Sequence, residues 1–326
     1  VKAYAGVDLG GTNLRAVLID TGGQVICHRE SPVGPDRRPE ALCDRIANVI
    51  LDLVSSPPAP PGLELGGVGV GVAAWLERDT GRVRVSPNLG WRDVPIGDLL
   101  RQAIDGPVLV VNDLAAVTYG EWQAGAAREM RDVLCVFVGS GLGAGLVIDG
   151  RLYQGSAGMA GELGHVSVDD ADDALPCGCG RKGCVEAYVG GRYLEGRIRA
   201  ALAEGSGFSA VAEAARRAGR GPDEITCHDV ETAYVQGDPD SVAIWTEAAD
   251  RLGRALAVGV QVVDPGMVVL GGGVLGAAPS YRSLTLEAFK RHCPEGLRAH
   301  VALRSSALGG QAGVLGAALL ARDRPD

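Results

Sequence analysis

The chain has 326 residues, enough for two domains with sizeable cores. Its 31 basic residues stand against 40 acidic ones, a net charge of -9, which argues against nucleic acid or an anionic membrane as the principal ligand. No apolar run approaches the ~18 residues of a spanning helix and none has the charged start and apolar middle of a signal peptide, so a cytoplasmic protein is expected.

In chain order, residues 4–8 and 14–19 are short apolar runs, and Gly10, Gly11, Thr12 and Asn13 lie between them. Strand, glycine turn, strand is the expectation, with a third strand at 24–28. Glycines at such a turn let backbone N–H groups approach an anion, and Thr12 adds a hydroxyl, so the turn is a candidate phosphate cradle as well as an ordinary hairpin. Residues 39–54 have helical spacing, closed by the run Ser55-Ser56-Pro57-Pro58. A strand at 68–73, a turn-rich segment at 86–91 containing Asn88, a helix at 96–104 and a strand at 108–111 follow. Asn112 and Asp113 then sit at the carboxyl end of a strand, where open α/β sheets place their ligands, ahead of a helix at 114–124. Asp113 also suits the N-cap of that helix.

The opening pattern then repeats. Residues 134–138 and 144–148 predict strands flanking a glycine turn that holds Gly139, Ser140, Gly141 and Gly143, and a further strand is predicted at 151–153. Two copies of one hairpin suggest two similar domains, each offering a glycine loop to the same anion. Gly271, Gly272 and Gly273 follow a predicted strand at 267–270 and, with Gly276, satisfy the spacing G-x-G-x-x-G. Too few residues remain to build a dinucleotide fold, so the better reading is a glycine turn against which a nucleotide base or ribose lies. Helices are expected at 185–203, 209–218, 230–236, 241–263 and 311–320, the last rich in Ala and Gly and suited to close packing on a neighbour.

Residues 155–186 hold the densest chemistry. His165, Cys177, Cys179 and Cys184 are the right kind and number of ligands for a tetrahedral Zn²⁺ site of the Cys3His type. A disulfide between Cys177 and Cys179 is the competing reading, and its very small ring would be strained. Four protein ligands leave no open position, so the expected zinc is structural. Gly178, Gly180 and Gly183 separate the sulfurs and supply positions that tolerate positive φ. Glu162 and Glu186 flank the knot. The remaining cysteines, Cys27, Cys43, Cys135, Cys227 and Cys293, lie among apolar neighbours and read as reduced core thiols.

Taken together, Asp8-Leu-Gly-Gly-Thr12, Asn112-Asp113, Gly139-Ser-Gly-Leu-Gly143, Gly161-Glu-Leu-Gly-His165 and Cys177-Gly-Cys-Gly-Arg-Lys-Gly-Cys184-Val-Glu186 resemble the ROK family of sugar kinases and repressors, in that family's order and along essentially the whole chain. The resemblance implies an actin-like, hexokinase-type fold of two ribonuclease H-like α/β domains flanking a cleft. The expected domains are 1–112 plus about 309–326, and a larger one at 113–308 carrying the zinc loop at 165–186. The family's repressors resemble this chain with an added helix-turn-helix. With Asp8 so near the start, the kinase branch is expected, and a sugar-sensing regulator lacking its DNA-binding part is the alternative.

The resemblance further implies ATP-dependent phosphorylation of a hexose, glucose first, with N-acetylmannosamine and fructose as runners-up. Asp113 is the expected general base, because a sugar hydroxyl needs a carboxylate to orient it and take its proton. Asn88, Asn112, Glu162, His165 and Glu186 are expected on the sugar. Both glycine loops are expected on the phosphates, and Asp8 near Mg²⁺, through water. A dimer or tetramer is implied by analogy. One departure stands out: Ala74-Trp75 occupies the place of a Pro-Gly turn common in the family, near the sugar.

Overall fold

The computed structural model describes residues 1–324. In chain order it contains β1 (Lys2–Leu9), β2 (Asn13–Asp20), β3 (Val25–Pro32), α1 (Pro39–Ser55), β4 (Glu64–Val72), β5 (Trp75–Glu77), β6 (Arg82–Ser86), β7 (Trp91–Val94), α2 (Ile96–Ala103), β8 (Val108–Asn112) and α3 (Asp113–Gln123). There follow β9 (Val133–Val138), β10 (Leu142–Ile148), β11 (Arg151–Tyr153), α4 (Val185–Val189), α5 (Gly191–Ala203), α6 (Ser209–Arg217), α7 (Cys227–Val235) and α8 (Pro239–Val263). The chain closes with β12 (Met267–Gly271), α9 (Gly273–Ala277), α10 (Pro279–His292), α11 (Glu295–Arg298), β13 (Ala302–Ser305) and α12 (Ala312–Asp323). Two compact units divide it: Val1–Arg131, Gly145–Ala160 and the stretch from Gly310 onward make the first, and Asp132–Ala144 with Gly161–Gly309 the second.

The first unit is built on a sheet of order β3-β2-β1-β4-β8, antiparallel across β1, β2 and β3 and parallel from β1 to β8. Alternation along β1 explains its two faces. Ala3, Ala5, Val7 and Leu9 join Leu42, Ile46, Ile50 and Leu53 of α1 in one core, where each large aliphatic side chain contributes ~1.5–3 kcal/mol on burial. The opposite face carries Gly6 of β1 and, on β4, Gly69. A Cβ at these two positions would lie 2.1 Å from the Val314 carbonyl oxygen and 1.9 Å from that of Ala317. Both carbonyls belong to α12, so the absent side chains let that helix lie directly on the sheet. The same device docks α12 on α3, where a Cβ on Gly316 would be 1.8 Å from the Ala116 oxygen. The neighbour of the small-residue helix, not assignable from its pattern, is therefore α3 and the first sheet, and α3 belongs to the first unit.

The second sheet has the order β11-β10-β9-β12-β13, with β12 parallel to both β9 and β13 and buried along its whole length. Behind it, α8 and α10 bring Trp245 and Tyr281 into a stack with centroids 4.9 Å apart. Several expectations change. The helix expected at 185–203 is two, α4 and α5, because Gly190 is extended at φ -70° and ψ 136°. Helix α7 starts at Cys227, three residues earlier than its apolar spacing indicates, since Thr226 and Asp229 form a capping box there. The turn-rich segment at 86–91 joins β6 to β7 in a small sheet of order β5-β6-β7. Helix α10 and strand β13 carry too mixed a pattern to be predicted.

Candidate active site

The first unit presents its candidate residues at the ends of strands. Asp8 and Arg15 face each other across the β1–β2 pair, with Arg15 Nη1 3.9 Å from Asp8 Oδ2, and Gly10 N–H donates to Asn13 O at 3.1 Å to close the turn. Burial pushes the Asp8 carboxyl up from its usual range, opposed by the Arg15 charge. Asn13 Nδ2 donates to Glu30 at 3.0 Å, and Thr12 O accepts from Val33 N at 2.8 Å, so the turn is held from β3 and the residue after it. Asn88 lies against it: a Cβ on Gly11 would be 3.6 Å from Asn88 Cβ.

At the end of β8 the structure settles which residue caps α3. The N-cap of α3 is Asn112, whose Oδ1 accepts from Leu114 N at 2.9 Å and Ala115 N at 3.2 Å, an arrangement worth ~1 kcal/mol. Asp113 is the first helical residue and accepts from Leu114 N at 2.9 Å through Oδ1. Asn112 Nδ2 also donates to Ala74 O at 3.2 Å, while Ser86 Oγ donates to Ala73 O at 2.8 Å. The Ala74-Trp75 segment is thereby fixed from both sides, and Trp75 is 39% exposed.

In the second unit His165 ends a single 3-10 turn (Leu163–His165), and its donors meet those of the three cysteines. The four ligand atoms lie within 4.8 Å of one another. Cys177 Sγ is 3.6 Å from His165 Nδ1, and Cys179 Sγ is 3.6 Å from Cys184 Sγ. Two thiolates on one tetrahedral zinc at ~2.3 Å are about 3.8 Å apart, so the spacing fits that ion. All eight cysteines are free, so the Cys177–Cys179 disulfide considered above is not formed. Two of the separating glycines take positive φ, Gly180 at 89° and Gly183 at 76°; Gly178 does not, and it is kept small by Arg192 and the Tyr193 hydroxyl, each 3.1 Å from where a Cβ would stand. Burial opposes thiolate formation at Cys179, yet hydrogen bonds from Arg181 and the neighbouring cysteines bring it down to about 7.

His165 uses its other nitrogen toward Glu162, with Nε2 3.7 Å from Oε2. Burial raises the Glu162 carboxyl above its usual range; His165 opposes this and Glu186 adds to it. Glu186 is only 12% exposed. Its Oε2 accepts from Leu142 N at 3.0 Å, and its Oε1 from Arg192 and Tyr193, both at 3.3 Å. The glycine loop is pinned at further points: Gly139 N donates to Gly141 O at 3.0 Å, Gly191 N to Gly139 O at 2.8 Å and Arg192 N to Ser140 O at 3.1 Å. A Cβ on Gly141 would be 2.4 Å from Glu186 Oε2. The N–H groups of Gly139 and Leu142 are therefore engaged within the protein, so loop donors for an anion are to be sought at its other residues. At Gly271–Gly273, missing side chains clear space for β9: Gly271 lies against the Phe137 ring, and Gly272, at φ 95°, against the Val138 backbone.

Several residues here escape sequence reasoning. Arg181 donates to His165 O at 2.6 Å, and Tyr188 donates to Asp169 at 2.7 Å while accepting from Leu175 N at 3.0 Å. Arg251, far along the chain, pairs with Asp169 at 3.0 Å. Arg181 lies inside the cysteine spacing and was findable; Tyr188 and Arg251 look like ordinary helix residues.

Two hairpin-led α/β sheets, an aspartate at a strand end and a Cys3His knot place the molecule among α/β proteins with the fold of hexokinase-type sugar kinases. The chain belongs to the ROK family, which it matches over residues 4–324. It is 34% identical to a glucokinase of Streptomyces coelicolor over 323 residues, 98% of each chain. It is 33% identical to an N-acetylmannosamine kinase of Escherichia coli O157:H7, over 97% of each. A ROK family glucokinase from Streptomyces griseus, solved in complex with glucose and AMPPNP, superposes with a TM-score of 0.82 at 31% identity, covering 99% of this chain and 100% of that one. No helix among the described residues is long and apolar enough to cross a membrane.

Proposed function

We propose that this chain is an ATP-dependent hexose kinase that converts glucose to glucose 6-phosphate. The observation that carries the reading is Asp113, a carboxylate at the carboxyl end of β8 in a chain whose full-length relatives include glucokinases. In the reaction Asp113 accepts a hydrogen bond from the attacking sugar hydroxyl, aims it at the terminal phosphorus and takes its proton as the new O–P bond forms and the bond to the ADP oxygen breaks. Most of the acceleration comes from positioning and charge stabilisation. Asn88, Glu162, His165 and Glu186 hold sugar hydroxyls, and Asn112 contributes chiefly by capping α3 and fixing Asp113. Loop N–H groups within 10–13 and 139–143, other than the engaged ones of Gly10, Gly139 and Leu142, hold phosphate oxygens, and the turn at 271–273 receives the nucleoside. Asp8 would hold Mg²⁺ through water, and the ion would supply positive charge against that developing on the phosphates.

His165, Cys177, Cys179 and Cys184 fit a structural zinc by donor type, number and spacing. With four protein ligands the ion would hold the loop in shape, leaving His165 Nε2 to a sugar hydroxyl. The match to N-acetylmannosamine kinase supports that sugar as the second reading. A coupled assay of ADP release over glucose, N-acetylmannosamine and fructose tests the proposal: turnover is expected with glucose, and the absence of turnover with every hexose overturns it.

A further inference from the structure

We propose that Tyr193 is a positioning residue that ties the Cys3His knot to the glycine loop at 139–143 through the carboxylate of Glu186. Three elements converge on its hydroxyl. It accepts from Gly178 N at 2.8 Å, inside the cysteine knot, and from Arg192 Nη2 at 2.8 Å. Its one proton has two takers, Glu186 Oε1 at 3.3 Å and Cys177 Sγ at 3.8 Å. The other oxygen of Glu186 holds the Leu142 amide, in the middle of the loop, at 3.0 Å.

The linkage therefore runs from a metal-ligand sulfur, through one hydroxyl and one carboxylate, to a backbone amide of the loop. Each joint is stiff for a physical reason. The Arg192 guanidinium lies 4.6 Å from the centre of the Tyr193 ring and holds it by cation–π attraction. Gly190 and Gly191 bring the start of α5 against the loop, at 2.9–3.0 Å from the Ser140 and Gly139 oxygens for an added Cβ, so the helix bearing Tyr193 cannot shift without moving the loop. Glu186 has two rotatable bonds beyond Cβ, and with the phenol removed its Oε1 keeps the Arg192 contact, from a side chain that is 46% exposed, and a long 3.9 Å contact from Cys177 Sγ. The hydroxyl thus sets the carboxylate angle, and the carboxylate sets the Leu142 amide. Order in the metal loop and order in the phosphate loop become one equilibrium.

The proposal rests on the kinase reading only where it concerns nucleotide affinity. The experiment is hydrogen exchange on the full-length protein, comparing wild type, Tyr193→Phe and Glu186→Ala, with zinc content and AMPPNP binding measured alongside. Tyr193→Phe keeps the ring over Arg192 and is expected to retain zinc, to exchange about tenfold faster in peptides covering 139–146, and to leave peptides covering 8–16 unchanged. Glu186→Ala is expected to give the same pattern, and in both variants AMPPNP binds about tenfold more weakly. The proposal is overturned if Tyr193→Phe leaves exchange at 139–146 as in wild type while Glu186→Ala raises it, or if Tyr193→Phe loses the metal, which would make the hydroxyl part of the knot alone. A wild-type protein that phosphorylates no hexose would sink the kinase reading and leave the exchange comparison standing.

Discussion

The two glycine loops have the same local pattern and are made rigid in opposite ways. The loop at 10–13 is fixed by its own hairpin: Gly10 to Asn13, Asn13 to Glu30 and Thr12 to Val33 are contacts within one run of β-structure. The loop at 139–143 is fixed from residues some 50 positions later, by Glu186 and by the start of α5. The first unit carries the proposed proton acceptor just after the end of a strand; the second carries its polar groups on a cysteine-rich segment whose regular structure is a single 3-10 turn, two isolated β-bridges and the short helix α4. A strand end is held by its sheet, whereas a loop with three glycines among three cysteines is held by hydrogen bonds to residues outside it and, on the proposed reading, by a zinc ion.

This contrast predicts that damage to the two units separates into turnover and affinity. The largest effect is expected at Asp113→Asn, with kcat lowered by ~10² or more while glucose binding by calorimetry stays within about tenfold. An equal loss of both would make Asp113 a structural residue and erase the contrast. Cys179→Ala should remove zinc by metal analysis and weaken glucose binding more than tenfold, with a smaller effect on AMPPNP. Retained zinc would contradict the ligand set.

The first unit is tested by packing. Gly316→Val drives a branched side chain into the Ala116 carbonyl, and should cost ~3 kcal/mol or more, lowering Tm by about 10 °C in a thermal scan. An unchanged Tm would show that α12 is not the cover of this sheet. The smallest effect has the opposite sign. Burial raises the Asp8 carboxyl, so the folded state binds this proton more tightly than the unfolded chain does. Stability therefore falls as pH rises from the ordinary aspartate range through the raised folded value, and above that the buried charge is a standing cost. Asp8→Asn should raise Tm slightly at pH 7, with the gain vanishing below the ordinary carboxylate range, while impairing phosphate transfer. A destabilised variant at pH 7 would mean that the Arg15 contact outweighs the burial.

Much of this was legible in the sequence where chemistry is local. The hairpins flanking Gly10–Asn13 and Gly139–Gly143, the strand ending at Asn112, and the Cys3His ligands all appear as residue types at fixed spacing. What escaped depends on distance. Nothing near residue 193 announces that its hydroxyl meets Gly178 and Glu186, and nothing in α12 says which sheet it covers. Asn112 and Asp113 share a capping propensity, and only the backbone geometry assigns the cap of α3 to Asn112 rather than to the alternative, Asp113. The break at Gly190 follows from close approach to Ser140, a partner invisible to helical periodicity.

The glycine-cleared seat of α12 also sets an order of events during synthesis. Residues 161–309, the bulk of the second unit, are all synthesised before Ala312 is added, so every part of that unit precedes the helix that covers one face of the first sheet. The usual sequence, in which N-terminal domains finish first, is inverted here. A nascent chain grown only as far as residue 310 would therefore present Gly6 and Gly69 on an open apolar surface, a substrate for chaperones that the folded unit no longer offers.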